Sequence, residues 1–471
     1  RRFLHLGFAL QSIGLIADLG DGGIFDAPQI SMILMGDLDE ILDMLFLVAY
    51  CLGLSLFLRQ MLSDGLAPHV RQGPAVFAPA APSDIIRRTV EETRWQGRRR
   101  TRYARMLLTD LLRPFLSAGF IVAGTWRNGS QTGRLAGKSV LRQLREQIAV
   151  ATARPPASLY YYPFELYEDS RRRRLGAYLF RSETKGGLYR LLRKAPTTPL
   201  TDKAAFHLRC RAHGLATPAL FLALDAKGQA VFPADALPGL PPADLFIKPN
   251  PGKGGRGVER WHYAGEEEVF ERADGLRLTP ALLLQRLRCP PFESGCVVQA
   301  CVVNHPDLLD LAPRALSTVR IVTCRDEAGG FEATHAVFRM AQSASAEVDN
   351  FHAGGIAAAV DLATGALAAA TDLGFDRSAR WHRRHPLTDA AIEGRLLPLW
   401  PETLALACRA HAAFADRIII GWDIAILADG PSLIEGNSSP DLDIIQRTHR
   451  GPVGDTRLGE LLAAALLRRR F

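Results

Sequence analysis

The chain has 471 residues, of which 48% are hydrophobic, and its formal net charge is +8 at pH 7. This length and composition, with no repeat period, indicate a globular protein of two or three domains. Arginine carries most of the charge, which favours an anionic partner such as nucleotide, acidic polymer or lipid headgroups, although solubility explains a basic surface equally well. The seven cysteines are scattered without C-x-x-C pairs, which indicates a reducing compartment and no structural zinc.

A hydrophobic segment occupies residues 1–62 and raises the question of a membrane helix. Its uncharged part, Met44 to Leu58, is marginal because a spanning helix needs about 20 apolar residues. Acidic residues precede it and an arginine-rich stretch follows, an asymmetry that would place the C-terminal side in the cytosol. Two interpretations stay open: a single membrane segment at 41–58, and a buried helix or hairpin.

The next regions are a linker and a basic, mainly helical region. Residues 63–82 are rich in proline and alanine, which predicts a linker. Helical spacing of apolar residues begins at Ser83, and the region extends to residue 200, with a kink or restart expected at Pro114. Arginines crowd residues 87–102 without any nucleic-acid reader motif, so no nucleic-acid partner is expected. Solvated helix faces, or a lid for an acidic acceptor substrate, explain these arginines better.

A glycine-rich loop follows a short strand in the middle of the chain. Leu245 to Pro249 reads as a strand with Lys248 near its end, and Gly252 to Gly257 leads into a second strand-like run. Glycine tolerates positive φ, so such a loop can close its backbone N–H groups over a polyphosphate. It is not a P-loop, because the G-x-x-x-x-G-K-[ST] signature and a following helix are both missing. Taken alone, the loop could equally be a structural turn.

Two arginines lie inside apolar strand patterns further along. Arg320 is flanked by Val319 and Ile321, and Arg339 ends the run that starts at Thr334. An arginine among apolar residues must be paired, because an unpaired buried charge is costly. Its partner is either a carboxylate or a phosphate, which the planar guanidinium binds through two bonds.

The stretch from Ile418 to Asp441 predicts a β-hairpin that carries three hard oxygen ligands. Two apolar runs flank the turn sequence Ala428-Asp429-Gly430-Pro431. With the turn centred on Asp429, Asp423 faces Glu435, and the alternation of side chains puts Asn437 on the same side as Glu435. Two carboxylates and an amide oxygen suit Mg²⁺ or Mn²⁺, particularly beside phosphate. An exposed hairpin with ordinary polar residues is the alternative.

The order of these motifs resembles the ATP-grasp superfamily from roughly Thr201 to Phe471. The matching segments are Asp202-Lys203, Ile247-Lys248-Pro249 with the glycine loop, Val297-Val298-Gln299, Thr318-Val319-Arg320-Ile321, Phe338-Arg339, Asn350-Phe351-His352-Ala353-Gly354-Gly355, and Gly421-Trp422-Asp423 through Glu435-Gly436-Asn437. They are most similar to the sugar-transfer-associated, or α-L-glutamate-ligase-related, subgroup. The resemblance implies an α/β (α+β) ATP-grasp domain at 201–471 that holds its nucleotide between two α+β subdomains, preceded by the mainly helical region at 83–200.

The resemblance also implies a role for each matching residue. The residues that would bind ATP are Lys203 and Lys248 at the phosphates, Gly254, Gly255 and Gly257 in the loop, and Gln299 and Val302 near the adenine. The catalytic positions would be Arg320, Arg339 and Asn350, with the arginines facing the transferred phosphoryl group. The ligands of Mg²⁺ or Mn²⁺ would be Asp423, Glu435 and Asn437. His352 is interpreted as an orienting or structural residue.

The implied activity is that of an ATP- and Mg²⁺-dependent carboxylate–amine ligase working through an acyl phosphate, for example on cell-surface polysaccharide or peptide. A phosphotransferase on the same fold and an ATP-binding protein without turnover are the alternatives. Two departures leave the amino-acid substrate open: Val348-Asp349 and Gly421 stand where related ligases carry an arginine. The expected partners are ATP and carboxylate and amine substrates in the cytoplasm, with attachment to the inner membrane surface through the N-terminal segment as a further option.

Overall fold

The computed structural model describes residues 81–94, 100–193, 198–233, 239–250, 257–312, 315–342, 354–374 and 380–469. Several predictions fall outside these ranges. They concern the membrane segment at 41–58, most of the linker, and the residues Gly254, Gly255, Asn350 and His352. Among the helices that the structure describes, none combines the length and the apolar character needed to cross a bilayer.

The helices are, in chain order, α1 Pro82–Arg94, α2 Arg100–Ala136, α3 Val140–Ala153, α4 Asp169–Arg173, α5 Arg181–Glu183, α6 Tyr189–Leu192, α7 Lys203–Ala212, α8 Pro280–Arg286, α9 Trp400–Ala413, α10 Leu442–Thr448 and α11 Arg457–Arg469. Single turns of 3₁₀ helix lie at Pro155–Tyr160, Leu175–Ala177, Pro199–Thr201 and Pro306–Leu308, and a π-helical turn lies at Thr184–Leu188.

The strands are β1 Leu220–Leu224, β2 Ala230–Phe232, β3 Leu245–Pro249, β4 Glu259–Ala264, β5 Val269–Arg272, β6 Arg277–Leu278, β7 Cys296–Ala300, β8 Thr318–Arg325, β9 Phe331–Met340, β10 Ile356–Val360, β11 Leu367–Thr371, β12 Trp381–His382, β13 Ile419–Leu427 and β14 Gly430–Asn437. They form two seven-stranded antiparallel sheets. The first sheet has the order β2-β1-β7-β3-β4-β5-β6, and the second has the order β12-β11-β10-β9-β8-β13-β14. The predicted α+β class and the mainly helical region before the sheets are both confirmed.

The contacts divide the chain into two units. The helical unit consists of residues 1–192, 373–380 and 441–471, and the sheet unit consists of residues 193–372 and 381–440. Residues 441–471 therefore group with the helical unit, although the sequence assigned them to the domain at 201–471. The predicted domain boundaries remain a proposal.

The helical unit is built around a cluster of aromatic rings. Tyr160, Phe164 and Phe180 pack on one another, with 4.7 Å between the ring centroids of Tyr160 and Phe164. The Tyr160 hydroxyl donates to Asp443 at 2.9 Å, which attaches α10 to this core. The sequence predicted a kink or restart at Pro114, and the restart is wrong, because α2 runs through this residue as one helix of 37 residues. The predicted kink stays a prediction.

Arginines at residues 171–174, a second basic run, form ion pairs inside the helical unit. Arg172 contacts Glu146 at 3.0 Å and Asp169 at 2.6 Å, and Arg174 contacts Asp455 at 3.0 Å. Exposed pairs of this type contribute little to stability individually, but the pairs of Arg172 are partly buried and link α4 to α3. These arginines have carboxylate partners within their own unit.

The sheet unit has two hydrophobic cores, and α7 packs against both of its sheets. Residues of even number on β13 and β9, such as Trp422 and Phe338, point into the core of the second sheet. Phe206 of α7 joins that core and lies 5.6 Å from the ring of Phe414. Ala204, two residues earlier on α7, packs against β1 and β7 of the first sheet. The N-terminal turn of α7 therefore lies beside both sheets.

A chain of buried hydrogen bonds links the second sheet to α9. Trp422 Nε1 donates to Thr323 Oγ1 at 2.9 Å, and Thr323 lies 2.7 Å from Nδ1 of His411 on α9. His411 Nε2 lies 3.1 Å from the carbonyl oxygen of Arg417. Burial lowers the pKa of His411 to about 4, so the imidazole is neutral near pH 7. Its Nε2 then donates to Arg417, and its Nδ1 accepts from Thr323.

We expect Gly436→Ala to lower the free energy of unfolding by about 1–3 kcal/mol, because overpacking forces neighbouring groups to move. A Cβ at this position would lie 2.5 Å from Leu200 Cδ2 and 2.8 Å from Trp422 Cζ3. Urea unfolding followed by tryptophan fluorescence measures the change. Gly239→Ala is the control, since its Cβ meets no atom within 4 Å. Equal losses in the two variants would contradict the packing argument.

Candidate active site

Four neighbouring strands of the second sheet bring polar residues into one charged row, which consists of Arg339 on β9, Arg320 on β8, Asp423 on β13, and Glu435 and Asn437 on β14. Asp423 on β13 pairs with Arg320 on β8 and with Glu435 on β14. The predicted pairing of Asp423 with Glu435 is therefore confirmed. These side chains lie on the face opposite to the core, because Val319, Ile321, Trp422 and Ile424 occupy the core face of the same strands.

A β-bulge produces this pairing. The turn consists of Ala428 and Asp429 alone, and Leu427 pairs with Gly430, so the turn is shorter than predicted. With this turn, a regular ladder would place Ile434 opposite Asp423. The register shifts between Asp423 and Ile424, which leaves Ile434 as the extra residue and puts Glu435 opposite Asp423. Leu433 consequently faces the core while Glu435 faces the solvent side.

The carboxylate of Asp423 is held by two arginines. Arg320 Nε donates to Asp423 Oδ1, and Arg320 Nη2 donates to Oδ2 at 2.9 Å. Arg339 Nη2 lies 3.1 Å from the same Oδ2, and its Nε donates to Thr318 Oγ1 at 3.1 Å. Burial alone would raise the pKa of Asp423, but the two guanidinium groups outweigh it and hold the pKa below its usual value. Asp423 is therefore ionised at neutral pH.

Asn437 connects the other members of the row. With its amide group oriented to satisfy both neighbours, the NH₂ donates to Glu435 Oε1 at 3.2 Å and the oxygen accepts from Arg320 Nη2 at 3.2 Å. Gly421 lies opposite Asn437 and leaves room for the stem of Arg320. A Cβ on Gly421 would lie 3.2 Å from Arg320 Cδ and 2.8 Å from Pro440 Cβ. A side chain at position 421 would thus collide with Arg320 and Pro440.

The two lysines predicted to bind phosphate, Lys203 and Lys248, line one recess together with Glu435. Its empty volume is about 280 Å³, it opens to solvent, and it is lined by Leu200, Lys203, Phe206, His207, Lys248, Ile434 and Glu435. Lys203 comes from the first turn of α7 and donates from Nζ to the carbonyl oxygen of Pro249 at 3.0 Å. Three segments that are far apart in the sequence therefore meet here: α7, the end of β3 and the bulge of β14.

The recess places its lysines in a poorly solvated environment. Burial lowers the pKa of Lys248 to about 8, an effect that Lys203 reinforces and that Glu435 and Asp423 oppose. Burial also lowers the pKa of Lys203, against the attraction of Glu435. Some of the Lys248 surface remains accessible, so an anionic ligand can still reach this cation.

His207 and Gln299 form a buried pair at the base of the recess. His207 lies four residues after Lys203 on α7, and the two share one helix face. One of its ring nitrogens is 2.5 Å from Gln299 Nε2, and these two residues are 3% and 1% exposed. Burial, with Lys248 adding to it, lowers the pKa of His207 to about 3, so the ring is neutral. His207 was not predicted from the sequence, although its position four residues after Lys203 was a usable signal.

The other predicted nucleotide residues lie at different places. Gly257, at φ +70°, follows directly on the glycine loop, and a Cβ there would lie 3.1 Å from Pro249 Cγ. This position therefore requires glycine. Val302 is half-buried in the segment after β7, two residues beyond the strand end at Ala300. The structure thus gathers Lys203 and Lys248 into the recess, Arg320, Arg339, Asp423 and Asn437 into the charged row, and Glu435 into both. Gln299 meets the recess through His207.

The charged row contains the donor set that a hard divalent cation needs. Asp423 is ionised, Glu435 is exposed beside it, and Asn437 supplies an amide oxygen. Oxygen donors of this kind suit Mg²⁺ or Mn²⁺. A carboxylate offers about four lone-pair sites, so the two bonds from Arg320 do not by themselves fill those of Asp423. Within the described residues, no group of three or more His, Cys, Asp or Glu side chains is arranged to hold a metal ion, and the charged row combines only two carboxylates with an amide.

Solved structures with low similarity include known ligases. An L-amino acid ligase from Bacillus licheniformis is 14% identical, with 61% of this chain and 53% of that chain covered and a TM-score of 0.34. The D-alanine–D-alanine ligase from Bacillus anthracis is 15% identical, with 57% and 68% covered and a TM-score of 0.31. The chain thus spans about half the length of the first of these proteins. A comparison with curated proteins gave no match.

The family comparison is decisive for the fold. The family described as sugar-transfer associated ATP-grasp matches residues 189–451, which is more than half of the chain. This range contains both sheets and every site residue discussed above, and it confirms the resemblance that the sequence motifs indicated. The chain belongs to the sugar-transfer-associated ATP-grasp family and has the ATP-grasp fold.

Proposed function

We propose that this protein is an ATP- and Mg²⁺-dependent carboxylate–amine ligase that works through an acyl-phosphate intermediate. One observation carries the proposal: Lys203, Lys248 and Glu435 line a single recess beside the row of Arg320 and Asp423. Two cations suited to phosphate thus lie next to oxygen donors suited to a divalent metal. Membership of an ATP-grasp family supports ATP as the nucleotide.

The lysines would neutralise the triphosphate. Lys203 is oriented by its bond to Pro249, and Lys248 extends from β3 into the same recess. In a poorly solvated site, each charge interaction with phosphate is stronger than it would be in bulk water. The glycine loop that ends at Gly257 would contribute N–H groups, with Gly254 and Gly255 as proposed contacts. Gln299 and the backbone at Val302 are the proposed neighbours of adenine.

Asp423, Glu435 and Asn437 would hold the metal. When bound, Mg²⁺ or Mn²⁺ supplies charge that stabilises the phosphate oxygens. Asp423 is kept ionised by Arg320 and Arg339, which is the state that a ligand requires. Glu435 connects the two halves of the site, because it belongs to the charged row and also lines the recess.

The reaction would proceed in two transfers. An oxygen of the substrate carboxylate attacks the γ-phosphorus in line, the bond to the β-phosphate oxygen breaks, and ADP leaves. An amine then attacks the carbonyl carbon of the acyl phosphate, inorganic phosphate leaves, and the amine nitrogen loses a proton to give an amide. Arg320 and Arg339, with Asn350 as a further proposed residue, would face the transferred group, where a guanidinium fits two phosphate oxygens. Positioning and charge neutralisation are the protein's main contributions.

The substrates and location belong to the same proposal. We take the donor to be a small-molecule or polymer carboxylate and the acceptor to be an amine, in the cytoplasm. Contact with the inner membrane surface through the N-terminal segment is part of the proposal as well.

We expect Lys248→Met and Glu435→Gln each to reduce ATP-dependent phosphate release by about 100-fold or more, because each removes a charge aimed at the reacting phosphates. A screen of carboxylate–amine pairs with a phosphate assay measures this. Lys227→Met and Glu402→Gln are matched controls on exposed positions, in the β1–β2 turn and at the start of α9. Turnover at the wild-type rate in both site variants, with circular dichroism unchanged, would refute the assignment.

We expect the affinity for magnesium–ATP to weaken as the pH rises above about 8, because the deprotonated form of Lys248 attracts phosphate less. An arginine at the same position stays charged throughout this range, so Lys248→Arg should remove the component of the pH dependence that the lysine causes. Calorimetric titrations between pH 7 and 10 compare the two proteins. Identical pH profiles would exclude Lys248 as the titrating contact.

We expect hydroxylamine to yield a hydroxamate when it replaces the amine in a reaction with ATP and the correct acid. Hydroxylamine attacks the carbonyl carbon of an acyl phosphate, so the product reports this intermediate directly. A phosphotransferase would instead give ADP and a stable phosphorylated product. That second result, with no hydroxamate formed, would replace the ligase assignment.

A further inference from the structure

Arg320 bonds to two of the three proposed metal ligands. Its Nε and Nη2 donate to the two carboxylate oxygens of Asp423, with 2.9 Å between Nη2 and Oδ2. Its Nη2 also lies 3.2 Å from the oxygen of Asn437, when that amide is oriented to donate to Glu435. The side chain of Arg320 is 12% exposed and that of Asp423 is 7% exposed, so this arrangement lies largely out of solvent. A cationic group of the protein itself therefore lies where the oxygen donors converge.

The position of this guanidinium conflicts with a bound metal. Both oxygens of Asp423 accept bonds from Arg320, and Oδ2 also lies against Arg339, so few of the carboxylate's lone pairs are left for a metal. A guanidinium within a few ångströms of a divalent cation also repels it, most strongly where water is sparse. Occupation of these oxygens by Arg320 and by a metal should therefore be competitive.

We propose that Arg320 occupies the metal-ligand oxygens of Asp423 and Asn437 before nucleotide arrives, and that binding of the metal–nucleotide complex displaces its guanidinium toward the transferred phosphoryl group. This inference rests on the proposed function. It adds a coupling, because the arginine becomes available to the phosphoryl group only when the metal is in place. Without nucleotide, the ion pair keeps the carboxylates of the row from repelling one another.

The surroundings identify Arg320, rather than Arg339, as the group that moves. Arg339 keeps its bond from Nε to Thr318 Oγ1 at 3.1 Å when Asp423 turns to a metal. The stem of Arg320 is packed where Gly421 lacks a side chain, with Cδ 3.2 Å from the position of a Cβ. A fixed stem restricts the movement to the last torsions of the side chain. The guanidinium can then reorient without a change in the β8–β13 register.

The first test measures Mn²⁺ binding to the full chain without nucleotide, by electron paramagnetic resonance. Arg320→Met keeps the length of the stem and removes the competing charge, so it should bind Mn²⁺ about tenfold more tightly than the wild type. Arg325→Met is the matched control on the same strand, where the guanidinium donates to the carbonyl oxygen of Ala415 instead. An affinity in Arg320→Met that is equal to or weaker than that of the wild type would overturn the proposal.

The second test uses the wild-type protein and so does not depend on a variant that folds. The Nε–H signal of Arg320 in a ¹H–¹⁵N spectrum, assigned with Arg320→Lys, reports its bond to Asp423. Addition of Mg²⁺ with adenylyl imidodiphosphate should shift this signal and accelerate its exchange with water, whereas the nucleotide with EDTA should do so less. An unchanged signal in a protein saturated with the metal–nucleotide complex would overturn the displacement.

The two tests separate this inference from the proposed function. If the protein binds magnesium–nucleotide while Arg320→Met gains no affinity for Mn²⁺, the competition is refuted and the ligase proposal stands. If Arg320→Met gains affinity for Mn²⁺ while no acid–amine pair is turned over, the competition is supported and the ligase proposal fails.

Discussion

The site depends on a buried carboxylate that must stay ionised. Asp423 is 5% exposed, so burial opposes its charge, and the charge persists only because Arg320 and Arg339 lie against it. Removing either arginine leaves the buried charge of Asp423 incompletely compensated. The requirement is met by two arginines on neighbouring strands whose opposite face is mainly apolar. The row therefore spans β8, β9, β13 and β14 rather than the hairpin alone.

The apolar side of the same strands fixes the positions of these charges. Trp422 stands between Gly421 and Asp423, packs over Gly436 and bonds through Thr323 to His411. A tryptophan whose ring is closely packed and whose N–H group is hydrogen-bonded has little freedom to shift. The well-packed core face therefore fixes the positions of the charges on the opposite face. Helix α7 connects this core to the recess, because Phe206 packs in the core and Lys203 lines the recess.

Local sequence patterns predicted much of the site, and non-local pairing explains what they missed. The alternation of apolar residues and the turn signal were enough to pair Asp423 with Glu435, although the predicted turn was too long and the bulge was not foreseen. The two errors offset each other. The partner of Arg320 was left open between carboxylate and phosphate, because strand order decides it and Asp423 lies 103 residues away. His207 was missed because Gln299, the residue that completes its pair, lies 92 residues further on. Periodicity carries no information about such distances along the chain.

The bulge at Ile434 has a consequence for how this hairpin can vary among related sequences. The extra residue in β14 and the length of the turn together set which side chain stands opposite Asp423. A sequence that lacks this extra residue would still place the glutamate opposite Asp423, because the glutamate would then follow Leu433 directly in a regular ladder. A sequence that keeps every residue of β14 but pairs them regularly from the same two-residue turn would instead place Ile434 opposite Asp423 and turn the glutamate toward the hydrophobic layer. A one-residue gap at Ile434 is therefore compatible with the site, and an alignment of this segment should place the gap in the strand rather than in the turn.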